Sequence, residues 1–194
     1  MWTGGRSVGK GIGMALALGV ALAGCATAPM SGGPITQAPK VTLDRVEVAS
    51  YFPYAAPPAR VPLGLAFIFN IENPGETTVL VDDFKFTVAF EAAPGEYFPL
   101  ATPISYERLY TPPHTTNQLR VGAVLDSLIV PGTLAVTSGY LLAPLNLKAP
   151  DVVKNWWEKV GDFTFGVRVS EGTATFSSGD DTKLVTFEGM FPKR

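Results

Sequence analysis

Val61-Pro-Leu-Gly-Leu-Ala-Phe-Ile-Phe-Asn-Ile71 carries an apolar side chain at every odd position and runs into Glu72-Asn73-Pro74-Gly75. Successive side chains of an extended chain point to opposite faces. Val61, Leu63, Leu65, Phe67, Phe69 and Ile71 therefore share one core-facing side, with Pro62, Gly64, Asn70 and Glu72 among the residues opposite. This is the pattern of a half-buried strand closed by a turn. Pro74 followed by Gly75 supplies the backbone angles of a type II turn, so the segment needs no ligand to explain it.

The same period of two recurs outward in both directions. Phe84, Phe86, Val88 and Phe90 alternate with Lys85, Thr87, Ala89 and Glu91, and Leu119, Val121, Ala123 and Leu125 repeat the pattern. Phe163, Phe165, Val167 and Val169 predict a further strand, and Val185, Phe187, Gly189 and Phe191 share a face of the last one. Upstream, Val41 and Leu43 change phase to Val46 and Val48 across Asp44-Arg45, which predicts a bulge. Turn signals separate the runs at Pro94-Gly95, Pro112-Pro113, Pro131-Gly132, Ser170-Glu171-Gly172 and Ser178-Gly179-Asp180-Asp181.

One segment follows a different period. Val152, Val153, Trp156, Trp157 and Val160 fall at the spacing of a helical face, behind Pro150-Asp151 and ahead of Lys159 and Gly161. A short α-helix is expected near 151–160. Adjacent aromatics on a helix diverge by about 100°, so both tryptophans are inside only if the helix is clasped broadly. Trp156 and Trp157 are thus either both core residues or a core residue beside a contact site for a partner or lipid surface. Many short strands with one brief helix define an all-β class, an antiparallel β-sandwich of fibronectin or immunoglobulin type.

The N-terminus sets the compartment. Arg6 and Lys10 precede an apolar stretch from Gly11 to Ala23, which as a helix spans roughly 20 Å, too short for a bilayer core. It reads as a signal peptide. Leu22-Ala23-Gly24-Cys25 closes it, and Cys25 is the sole cysteine. The four residues resemble a bacterial lipobox, which implies cleavage before Cys25 and acylation of its thiol. Residues 1–24 are then the lipoprotein signal peptide, residues 25–40, rich in Pro and Gly, a tether, and residues 41–194 one folded domain. Removing residues 1–24 takes away Arg6 and Lys10 but no acid, leaving 13 Lys+Arg against 17 Asp+Glu. That balance argues against nucleic-acid binding. A lone cysteine allows no internal disulfide, and the 46% hydrophobic content with 12 Phe supplies an ordinary core instead.

Val41-Thr-Leu-Asp-Arg-Val-Glu-Val, the Leu65–Gly75 segment with Asn73-Pro74, and the strand from Val79 to Phe90 together resemble the LEA type 2 (LEA14-like, WHy) domain. Pro113-His-Thr-Thr before Leu119 to Leu125 is similar to that family's proline-led third strand, and Phe163 to Phe191 to its closing hairpin. The proline-rich middle, with Pro103, Pro112-Pro113 and Pro131 to Pro150, departs from the family pattern. The resemblance implies a fibronectin-like sandwich, no cofactor, and an association with desiccation and other stress.

Side chains able to carry chemistry are sparse. His114 is the only histidine and sits in a Pro-Pro-His-Thr-Thr turn with no compatible ligand spacing. Asp82-Asp83 and Asp180-Asp181 lie outside any EF-hand pattern and read as solvated charges. No Gly-x-Ser-x-Gly elbow is present after Cys25, and no Gly-rich phosphate loop follows a strand there. An enzyme is not expected, nor a metal site. The expectation is a membrane-anchored lipoprotein held through Cys25 at the periplasmic face of a bacterial outer membrane, as the absence of Asp after Cys25 implies by resemblance to known sorting. The alternative is an envelope binding module that docks a protein or carries a hydrophobic ligand.

Overall fold

Two antiparallel sheets face each other across a phenylalanine-rich core. The computed structural model describes Met1 and residues 32–193; Cys25 and the signal sequence lie outside the described residues. One sheet is built from β1 (Lys40–Ser50), β2 (Pro62–Asn73) and β7 (Thr115–Asp126) in the order β1-β2-β7. The other holds β4 (Glu96–Ala101), β3 (Val79–Ala93), β8 (Val167–Ser178) and β9 (Asp181–Phe191) in that order. Short strands β5 (Ile104–Ser105) and β6 (Leu109–Thr111) also pair with β3.

The alternation in β2 sets the core. Val61, Leu63, Leu65, Phe67, Phe69 and Ile71 are all buried, as are Phe84, Phe86, Val88 and Phe90 of β3. Their rings meet across the sheets, Phe67 against Phe86 at 5.1 Å and Phe69 against Phe84 at 4.9 Å, with Phe187 of β9 stacked on Phe84 at 4.7 Å. Edge-to-face and offset contacts of this kind add to the burial of apolar area. The outer face of β2 is covered too: Ile68 is buried and lies opposite Arg45 on β1 and Arg120 on β7. Glu47 draws Arg45 to 2.8 Å and Arg120 to 3.9 Å over this face.

The expected bulge in β1 is present, with the register against β2 shifting between Leu43 and Arg45. Beyond β1 the two sheets touch. A Cβ added to Gly189 of β9 would stand 2.7 Å from Cβ of Leu43, so the glycine is what lets these edges close on each other.

Three sequence expectations are corrected. Asn73-Pro74-Gly75 does not form a type II turn, since Gly75 is not among the residues at positive φ. It is a corner that passes the chain from one sheet to the other. Asn73, fully buried, holds it: its side-chain oxygen accepts the Gly75 N–H at 3.0 Å, and its amide donates to the carbonyls of Thr77 and Thr111 at 2.8 and 2.9 Å. Phe163 and Phe165 precede β8, because Phe163 caps a 3-10 turn (Val160–Asp162) in the left-handed conformation at φ 44°. The helix near 151–160 is joined by a second one. The two are α1 (Val130–Leu142) and α2 (Ala149–Lys159).

Residues 32–40 also differ from a free tether. Ile35 is buried and its N–H donates to Asp181 Oδ2 at 2.7 Å, while Pro39 is buried as well. Gly32 lies against Gly179 and Gly33 against Thr77. This segment docks on one pole of the sandwich, beside the Asn73 corner and the β8–β9 turn. Both helices sit at the opposite pole, where β2 begins and β7 ends.

Candidate interaction surface

α2 is fixed from both sides. Trp156 donates its indole N–H to the Glu91 carbonyl on β3 at 2.8 Å, and Trp157 donates to the Val61 carbonyl just before β2 at 3.1 Å. The roughly 100° between adjacent helical side chains thus sends one indole to each sheet. Both are fully buried, so neither is a contact site on the surface; the broad clasp that the sequence required is supplied by two sheets and α1. Phe90 meets Trp156 edge to face at 5.4 Å and Phe165 at 5.1 Å. Below them the buried Glu91 carboxylate accepts the N–H groups of Gly95 and Gly166, at 3.0 and 2.8 Å, which closes the β3–β4 hairpin onto the segment entering β8.

α1 grows out of the end of β7. Asp126 accepts the Leu128 N–H at 2.9 Å and the Arg60 guanidinium at 2.6 Å. These contacts, that with Arg60 first, hold the Asp126 carboxyl below the usual aspartate range. Ser127 then donates its N–H to the Val61 carbonyl and accepts the Val61 N–H. Pro131 enters the first turn, where its missing N–H leaves no bond unmade.

The helix buries a single ridge, Val130, Leu134, Ser138 and Leu142, at intervals of four. Its other side is as apolar as that ridge. Val136 is 87% exposed, Tyr140 74% and Ile129 56%, with Leu128, Leu141 and Leu145 also exposed. From Ser127 to Leu147 the chain carries no charged side chain. These large exposed apolar side chains, gathered on one helix, make α1 the candidate interaction surface. Sequence reading missed it because the segment has apolar residues without amphipathic period; the 21-residue gap in charge was the signal available.

The remaining expected positions are spread apart. His114 stands at the opposite pole at φ 55°, its Nε2 3.1 Å from the Glu76 carboxylate, both exposed. Asp82 and Asp83 lie along β3, and Asp181 is engaged by Ile35 and Thr182. Among the described residues no group of three His, Cys, Asp or Glu side chains could hold a metal ion. Likewise no helix there is long and apolar enough to cross a membrane. The inter-sheet phenylalanines pack on one another; a surface cleft of about 260 Å³ beside Glu91, Asn155 and Lys159 has Phe165 as its aromatic wall.

No family model and no curated protein matches the chain. Among solved structures, a protein from Archaeoglobus fulgidus is similar at 11% identity and TM-score 0.37, over 81% of this chain and 97% of that one. A Northeast Structural Genomics Consortium target is similar at 14% identity and TM-score 0.43, over 80% of this chain and 86% of its own.

Proposed function

We propose that this chain is a lipid-anchored envelope protein with an LEA type 2-like sandwich, held at the periplasmic face of a bacterial outer membrane and protective under drying or osmotic stress. The observation that carries the reading is Cys25, the lone cysteine, standing at the end of an apolar run in a Leu-Ala-Gly-Cys sequence. The antiparallel sandwich and the Asn73-Pro74 corner support the family resemblance. The protein acts through its surface, without turnover and without a cofactor. A diacylglycerol and an amide-linked chain together exceed the two signals that stable anchoring needs, whereas one chain gives only marginal binding.

The test is mass spectrometry of the mature N-terminus together with survival of a deletion strain. A diacylated and amide-acylated Cys25, with loss of viability on drying or osmotic shock, is the expected result. An unmodified Cys25 in mature protein overturns the anchoring, and an unchanged deletion strain overturns the protective role.

The second reading, an envelope binding module for a partner protein, is favoured by the uncharged exposed face of α1. Recovery of one stoichiometric partner from solubilised membranes, lost when Val136 is replaced by Asp, distinguishes it.

A further inference from the structure

We propose that the exposed face of α1 is a self-association surface, on which two copies anchored in the same membrane pack α1 against α1 about a twofold axis. The proposal rests on the anchoring reading above for the placement of the copies, and on four observations for the surface itself.

First, Ser127–Leu147 carries no charge, so two copies meeting there oppose no like charges, although the mature chain has more acidic than basic residues. The nearest acid, Asp126, is already held by Arg60. Second, the exposed side chains are large and apolar, Val136 and Tyr140 foremost. A helix that lies in a lipid surface carries Lys and Arg on its polar side; α1 has neither, which argues for a protein occupant.

Third, Gly132 and Gly139 lie two turns apart on α1, and among the described residues nothing beyond the adjacent residues and the helix's own backbone stands within 4 Å of a Cβ added to either. Glycine weakens a helix interior, and here no packing within the chain requires it. The open space admits a second helix at the short end of the usual interaxial range, about 8 Å.

Fourth, the N-terminal segment docks at the pole opposite α1. Residues 25–32 reach roughly 25 Å at most when fully extended. The pole that they enter is separated from α1 by the length of β2, whose 12 residues span roughly 40 Å. With Cys25 acylated, every copy is tethered at the pole opposite α1. Confinement of the copies to one surface then raises their effective concentration.

The experiment uses the full mature lipoprotein. Val136→Cys should give a disulfide-linked dimer in intact membranes under mild oxidation, mapped by peptide mass spectrometry to a 136–136 link. Leu184→Cys on β9, also well exposed, should not. Val136→Arg and Val136→Asp should each weaken self-association at least tenfold by sedimentation in detergent while the thermal melt is unchanged. Coexpressing the two variants should restore a mixed dimer, since only an isologous contact brings position 136 near its own copy.

Equal crosslinking at 136 and 184, wild-type sedimentation of the charged variants, or failure of the mixed pair to associate overturns the proposal. So does a fluorophore at 136 that shifts to the blue on phosphatidylethanolamine/phosphatidylglycerol vesicles while the protein remains monomeric, because it gives the face to the bilayer. Failure of anchoring is read separately as absence of lipid on Cys25 and leaves the sedimentation arm intact.

Discussion

Trp156 and Trp157 have the same burial but different partners, and the difference is measurable. The Val61 carbonyl that receives Trp157 also receives the Ser127 N–H, whereas the contact of Trp156 is with the Glu91 carbonyl beneath the helix. Trp157→Phe leaves the Val61 carbonyl its Ser127 N–H, so the lost bond should cost no more than about 1.5 kcal/mol, the net worth of one hydrogen bond, by urea unfolding. A larger loss would mean that the Ser127 bond does not compensate. Asp126 gives a second test. Its carboxyl, lowered chiefly by Arg60, stabilises the root of α1 at neutral pH, and that contribution is lost as pH falls through the lowered value. Carboxyl NMR should find Asp126 titrating below the usual aspartate range and returning toward it in Arg60→Gln.

Among elements, the strands were the legible part. β2, β3 and β7 each bury one face against another, so their alternation in sequence matches their alternation in space, and Leu119, Val121, Ala123 and Leu125 are buried as expected. Phe67→Ala should accordingly cost about 3–5 kcal/mol in urea unfolding. Lys85→Ala, on the exposed side of β3, should stay within about 0.5 kcal/mol. Two features were not legible. α1 has no polar face because its outer side is apolar too, so a period of 3.6 has nothing to show against, and its Pro and Gly read as turn residues. The Asn73 corner looked like a hairpin turn since Pro and Gly mark any reversal; that β2 and β3 belong to different sheets is decided by contacts with β1, β7 and β8, distant in sequence. At the candidate surface, the tryptophans were the visible signal and proved to be the clamp that holds α2, beside which α1 is displayed.

The whole molecule is an elongated sandwich with its N-terminal segment docked at one pole and its helices at the other. The Ile35–Asp181 bond keeps residues 32–39 on the domain. Asp181→Ala should raise hydrogen exchange and proteolytic cutting within 32–39 while leaving the core strands protected; protection unchanged in that segment would show that Ile35 burial alone suffices. This arrangement also fixes how the protein bears load. A tension applied between the docked segment and α1 runs parallel to the strands, and β1 enters from the pole at which it pairs with the end of β2. The pull then shears the β1–β2 ladder, straining its hydrogen bonds together, where a pull across the sheet would peel them one after another. Resistance to such a pull is set by the unfolding rate, not by equilibrium stability. A domain strung this way is a stiff strut between its docked N-terminal segment and whatever grips its far end.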